Sequence, residues 1–281
     1  MAEAEASHPI SRPGPAGRTR AAQAWDLLWV LVRRDLKARY AGSALGGLWN
    51  LIHPVVMILV YMVVFSALIT NRIAGGSPRD YAVHLCSGML VWLVFAETVS
   101  RSAAVLIDNA HFLRKVSFPP LVLFASVLIN VLLVYGFGFG VFYALLAATG
   151  SAPPGLAAGA LVLMAWLGVG AAGMGMIVAA LHVFFRDTAQ IVAVALQIGF
   201  WLNPIVYPKS LVEDSALGRW SAWLAWNPVE RFISTAQRLM GSPEASAWPL
   251  AGPILVLFPL ICLSLGLIVF HRLLPDIRDG I

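Results

Sequence analysis

"PLVLFASVLINVLLVYGFGFGVFYALLAA", Pro120 to Ala148, runs for 29 residues without one charged side chain. A helix rises 1.5 Å per residue, so about 20 apolar residues cross the ~30 Å hydrocarbon core of a bilayer. A stretch of this length and purity reads as a membrane span, and it decides the class of the whole chain. The composition agrees. The 281 residues are 59% hydrophobic and 12% charged, about half the charge of an ordinary soluble domain.

Working outward, five more stretches of the same kind appear. They are Leu45–Thr70, with Pro54 near its start, Tyr81–Val105, Leu156–Phe185, Thr188–Tyr207 and Leu250–His271. The expected fold is therefore an all-α membrane protein with six transmembrane helices, occupying residues 43–281. With the N-terminus inside, thirteen of the 19 Lys and Arg residues fall on the inner side and six on the outer. The excess of basic residues in cytoplasmic segments sets orientation, so both termini are expected on the cytoplasmic side.

Ahead of the first span stands "WDLLWVLVRRDLKARY", Trp25–Tyr40. Trp25, Leu28, Trp29, Val32, Leu36 and Tyr40 recur at three- and four-residue steps, which predicts a helix. Arg33, Arg34 and Lys37 lie off that stripe and Arg39 at its edge. An amphipathic helix lying in the membrane interface over residues 25–42 fits, tryptophans at headgroup depth and basic groups toward anionic lipid. Leu27, Val30 and Leu31 on the far side make the amphipathicity imperfect. Residues 1–24, rich in Ala, Pro and Arg, read as a disordered cytoplasmic tail. No short apolar region of a cleaved signal follows the early basic residues.

After the fifth span comes a long outer segment, residues 208–249. Ser210 with Glu213 reads as a capping box. Asn227, Pro228 and Glu230 suit the N-cap, N1 and N3 positions of a second helix, and Gly241 its C′ position. Trp220, Trp223 and Trp226 fall three apart. Two readings are open: a pair of surface helices with an interfacial tryptophan belt, or a re-entrant helical hairpin dipping back toward a pore mouth, allowed where protein or water surrounds it.

Several chemistries are missing. No G-x-x-x-x-G-K-[ST] occurs, and none of the three lysines, Lys37, Lys115 and Lys209, follows a glycine, so no P-loop holds ATP in this chain. There is no H-E-x-x-H, no G-x-S-x-G and no acid pair within a span, which leaves no catalytic residue and no metal site to name. Cys86 and Cys262 read as small buried hydrophobes. Glu97 with Arg101 four residues on reads as a helical ion pair near the inner boundary, with a proton site as the alternative. The glycines of "YGFGFGVFY" (Gly136, Gly138, Gly140) and of "GVGAAGMGM" predict close helix packing. The aromatics offer a second use, since their faces cover the C–H faces of sugars while Tyr and Trp add a polar handle.

Four stretches taken together carry a resemblance: "RRDLKARYAGSALGGLWNLIHPVV" (Arg33–Val56), "NAHFLRKVSFPP" (Asn109–Pro120), "FFRDTAQIVAVALQIGFWLNPIVYP" (Phe184–Pro208) and "WNPVERFISTAQRLMG" (Trp226–Gly241). The chain resembles the permease subunit of type-two ABC exporters, in the branch that exports cell-surface polysaccharides such as O-antigen, teichoic acid and galactan. The resemblance implies a homodimer paired with two separate ATPase subunits that bind the ATP and Mg. It implies that the segment 106–119 is a coupling helix, with His111, Phe112 and Leu113 as an apolar knob, Arg114 and Lys115 as rim charges, Val116 beside them, and Pro119–Pro120 as a stiff exit. It implies that the post-fifth-span hairpin, with Trp220, Trp223 and Trp226, gates the outer mouth of a pore lined by Trp49, Tyr61, Phe65, Phe200, Trp201 and Tyr207. The substrate class it implies, in the inner membrane of a bacterial cell, is a polyprenyl-pyrophosphate-linked polysaccharide, whose diphosphate Arg33, Arg34, Lys37 and Arg39 are placed to collect. Membrane lipids are further partners and nucleic acid is not. The rival readings are a type-two permease for drugs or other lipids and, less favoured, an ion-coupled transporter working through Glu97.

Overall fold

The computed structural model describes residues 20–38, 78–113, 118–148, 150, 157–207, 209, 226–242 and 252–280, with isolated positions between 49 and 63. Among these residues the secondary structure is entirely helical. The helices are α1 (Arg20–Ala38), α2 (Pro78–Asp108), α3 (Ala110–Leu113), α4 (Leu121–Ala148), α5 (Ala157–Phe184), α6 (Thr188–Leu202), α7 (Pro228–Leu239) and α8 (Pro253–Gly280). Four of them, α2, α4, α5 and α8, are long and apolar enough to cross a membrane. The stretch that opened the reading is α4, one residue shorter than expected. The first expected span, residues 45–70, lies outside the described residues but for those isolated positions.

The fifth expected span is the clear departure. α6 has 15 residues, about 22 Å of helix, which falls short of the ~30 Å core. Pro204 ends it, because proline brings no N–H and disfavours helix at the residue before it. The sixth runs the other way: α8 continues nine residues past His271.

α2 and α5 form the centre. α2 touches α3, α4, α5, α6 and α7, while α5 touches α4, α6, α7 and α8 as well. The most extensive contact is α5 on α8, and its cause is visible atom by atom. A Cβ at Gly173 would fall against the backbone of Cys262 and Leu263, and one at Gly266 against the backbone of Gly173. Gly170 meets Pro259 in the same way. Without side chains between them the two backbones touch, which maximises dispersion contact where lipid supplies no hydrophobic drive. Pro259 leaves the Leu255 carbonyl without its helical donor. The Trp166 indole of α5 donates to that oxygen at 2.9 Å.

The glycines of α4 behave differently. Gly136 and Gly140 have no atom within 4 Å of a Cβ position, so the close packing expected there is absent at these two sites. Phe139 is buried and Phe137 exposed.

α1 also differs from expectation. It begins at Arg20, so residues 20–24, assigned to the tail, are helical. It packs on α4 through Leu28, Leu31 and Val32, while Trp25, Trp29 and Val30 are exposed. The tryptophans meet edge to face at 6.0 Å. The inward face is thus Leu28–Leu31–Val32–Asp35, rotated from the expected tryptophan stripe. Polar bonds at Asp35, described below, fix that rotation.

Replacing Gly173 by Leu should force α5 and α8 apart and cost about 2 kcal/mol or more, whereas Gly136→Ala should be neutral or gain up to ~1 kcal/mol from helix propensity. Thermal unfolding in detergent, followed by tryptophan fluorescence, reads both. Equal tolerance at the two positions would contradict the crossing.

Candidate functional site

Two polar centres lie at opposite ends of α2. The first surrounds the break after α6. A broken helix leaves carbonyls without donors, and each such group costs several kcal/mol where water is excluded. Here side chains supply the donors. Asn203 closes α6 by giving its backbone N–H and its Nδ2 to the Gly199 carbonyl, at 3.2 and 2.6 Å. The Tyr207 hydroxyl donates to Trp201 O at 2.7 Å, the Tyr81 hydroxyl to Val206 O at 2.7 Å and Gln237 Nε2 to Pro204 O at 3.4 Å. Three elements therefore hold one non-helical turn: α2 through Tyr81, α7 through Gln237 and the turn itself.

α7 joins this turn at its N-cap residue, Asn227. The Asn227 side chain accepts from the N–H groups of Val229 and Glu230 at 3.0 and 3.5 Å, the cap the sequence predicts, and Gly241 takes the positive φ of +81° expected past the C-terminus. The Asn227 Nδ2 then donates to Asn203 Oδ1 at 3.0 Å. The two Asn-Pro sequences are thus linked amide to amide. Further along, Gln237 also donates to His84 O at 3.2 Å and faces His84 Nε2 at 3.3 Å, and His84 Nδ1 meets Ser242 Oγ at 3.3 Å. Eight of the twelve residues of α7 are buried. α7 is an interior helix lodged against α2 and α5, not a surface helix.

One residue of α7 stands out. Glu230 is 0% exposed and both its carboxylate oxygens lack a hydrogen-bond partner. Burial pushes its pKa up to about 7, against the opposing pull of Lys209, Arg231 and Arg238. Sequence reasoning assigned Glu230 to a cap and missed this; helical position does not reveal burial.

Between α2, α5, α6 and the start of α7 lies a cavity of 480 Å³ lined by Trp92, Phe95, Val178, Leu196, Asn203 and Trp226, among others. Its walls are mostly apolar, and both amides at its edge are engaged with each other and with backbone. Of the expected pore aromatics, Phe200 packs on Trp92 at 6.3 Å and on Trp201 at 5.3 Å. Trp201 is 55% exposed, Trp226 80% and Trp49 40%. Tyr207 is half-buried, its hydroxyl committed to the turn. Tyr61, Phe65, Trp220 and Trp223 lie outside the described residues. α6 has no buried residue at all.

The second centre is at the Asp108 end of α2. Arg101 forms an ion pair with Asp35 of α1, a partner that its helical spacing from Glu97 did not suggest. Asn130 of α4 donates to the same Asp35 oxygen at 3.1 Å. One residue earlier, Arg34 donates to Asn109 Oδ1 at 2.6 Å, and its guanidinium lies 5.5 Å over the Phe112 ring. Asn109 is itself held to Val105 O at 2.9 Å. Phe112 stacks on Phe118 at 5.4 Å and 12°. Of the expected knob, Leu113 is buried as an anchor, Phe112 is half-buried and His111 is exposed. Arg114, Lys115 and Val116 lie outside the described residues. Arg33, Arg34 and Lys37 are exposed, Arg34 with its guanidinium engaged by Asn109 and Phe112, and Arg39 is outside the described residues. A cavity of 360 Å³ lined by Arg34, Asp35, Arg101, Asp108, Asn109 and Ser126, among others, sits beside these contacts. Among the described residues no cluster of His, Cys, Asp and Glu could hold a metal.

Comparison with known proteins adds the following. The family model described as ABC-2 type transporter matches residues 26–240. The chain is 31% identical over 213 residues, 76% of its length and 79% of the relative's, to the O-antigen export system permease protein RfbA of Myxococcus xanthus. It is 26% identical over 259 residues, 89% of its length and 92% of the relative's, to a protein of the same description from Klebsiella pneumoniae.

Glu230 makes stability depend on pH. Its folded pKa lies above its unfolded value of about 4.5, so its contribution is full below pH 4.5 and is lost as pH rises through about 7. On the order of 3 kcal/mol is at stake for a shift of this size. The thermal midpoint of the purified protein should fall between pH 5 and 8, and Glu230→Gln should flatten that fall and raise the midpoint at pH 8. An unchanged pH profile in Glu230→Gln would remove Glu230 as the cause.

Proposed function

The chain belongs to the ABC-2 type transporter family, and from that premise we propose that it is the transmembrane subunit of an ATP-driven exporter that carries a polyprenyl-pyrophosphate-linked polysaccharide out across the bacterial inner membrane. The observation that carries this reading is the likeness, over most of both chains, to permeases described as serving O-antigen export. ATP is bound and hydrolysed by a separate ABC ATPase, in keeping with the absence of a P-loop from the sequence.

Two copies of the subunit form a homodimer, joined to two ATPase subunits. The unburied α6 supports this, because its exposed Ile191, Val194, Ile198 and Trp201 suit a second copy across a pore. The segment 106–119 meets the ATPase on the cytoplasmic side, with both termini there. Residues 208–249 form a re-entrant hairpin at the outer mouth; the burial of α7 against α2 and α5 supports its second arm. Sugars pass along aromatics such as the exposed Trp49 and Trp201 by many weak contacts, with Trp226 at the outer gate, and Arg33, Lys37 and Arg39 meet the lipid diphosphate.

A second reading, a permease for drugs or other lipids, is favoured by the apolar cavity at α6, whose amides offer no free handle to a sugar. The complex of permease and ATPase, reconstituted in vesicles, separates the two. Polyprenyl-pyrophosphate-linked glycan should stimulate ATP turnover severalfold and be exported, and Trp201→Ala should slow that export while leaving assembly intact. Turnover indifferent to the glycan but stimulated by small amphiphiles would favour the second reading.

A further inference from the structure

The bonds at the Asp108 end of α2 connect elements that the chain does not join directly. α1 and α3 are separated by two expected spans' worth of sequence, yet adjacent residues of α1 reach three other elements. Asp35 takes Arg101 of α2 and Asn130 of α4. Arg34 takes Asn109 and covers Phe112 of α3. Leu28, Leu31 and Val32 bury the adjoining face. Phe112 is in turn stacked on Phe118, just before α4 begins.

We propose that Arg34 and Asp35 lock α1 to the coupling segment, so that a force on His111–Leu113 moves α1 together with the ends of α2 and α4 as one body. Arg34 is then a positioning residue for energy coupling and not a collector of lipid phosphate. The chemistry of the contact favours arginine. A planar guanidinium can donate in its plane to the Asn109 oxygen while its face lies over a ring, and a lysine ammonium cannot do both. The pair at Asp35 makes the lock stiff: an ion pair with a second donor on the same carboxylate oxygen is broken only by leaving a partly buried charge unpaired. The cavity of 360 Å³ beside it leaves the lock without dense packing on one side, so the polar bonds rather than steric fit define its position. Since α1 leads into residues 39–77, where the first span is expected, motion received at α3 is delivered to that span.

The inference rests on the reading that segment 106–119 meets an ATPase. A cysteine at exposed position 111 tests that reading by itself: His111→Cys should cross-link to the ATPase subunit of the full complex, and no cross-link would overturn both the reading and the lock. Given the cross-link, a double-mutant cycle tests the lock. Export per ATP hydrolysed should fall about tenfold in Arg34→Ala and in Asn109→Ala, and the double variant should be no worse than the poorer single one. Asn109→Asp, which keeps an acceptor for Arg34, should retain coupling. Arg34→Lys should fail despite its charge. Multiplying effects in the double variant would overturn the lock. So would full activity of Arg34→Lys together with dependence on anionic lipid content, the signature of a headgroup role.

Discussion

Everything at the Pro78 end of α2 follows from one requirement: a carbonyl freed inside a membrane protein must find a donor. Pro204 stops α6 after about four turns, and the chain between Asn203 and Tyr207 exposes its oxygens. Four side chains answer, from Asn203, Tyr207, Tyr81 and Gln237. Because two of them come from α2 and α7, satisfying the break also fixes where α7 sits. The Asn203–Asn227 amide contact completes this, tying the end of one helix to the start of the next. A polar turn is thereby held at one place in an apolar bundle, and the apolar cavity opens beside it.

The Asp108 end solves a different problem with the same means. α1 is too polar to be a span and too short of contacts to dock by burial alone. Its three inward aliphatics bring it to α4, and the Asp35 carboxylate then sets its rotation. Charged groups at such an edge are tolerable because Arg101 and Asp35 keep part of their surface open, 19% and 32% exposed, while neutralising each other. The two centres bracket a middle section, α2 on α5 on α8, built from backbone contact with few polar groups.

How much of this the sequence discloses depends on the range of each interaction. Span length is local, so α2, α4 and α5 were legible within a few residues of their ends. Capping is local too: Asn227, Pro228 and Gly241 bound α7 as their types demand. Partners distant in sequence were not legible. Arg101 has a carboxylate four residues away and another, Asp35, on α1, and spacing alone could not reveal the bond to the latter. Glycines show the limit in another way. Gly136 and Gly173 look alike in apolar helices, but only the second has a backbone against it. Burial of α7, and with it the state of Glu230, depends on which helices surround a segment whose composition reads as surface. The expectations for Tyr61, Phe65, Trp220 and Trp223 fall on residues without a described placement.

The contact of α5 with α8 has a consequence for how the subunit comes to exist. A ribosome delivers α5 well before α8. Until then the glycine face of α5 has no backbone to meet and Trp166 has no carbonyl to receive its N–H. The early part of the bundle must wait in the bilayer with that face against lipid. The later helix is thus the one that completes this contact, and a chain cut short before Pro253 would insert most of the preceding helices yet leave the glycine face of α5 unsealed.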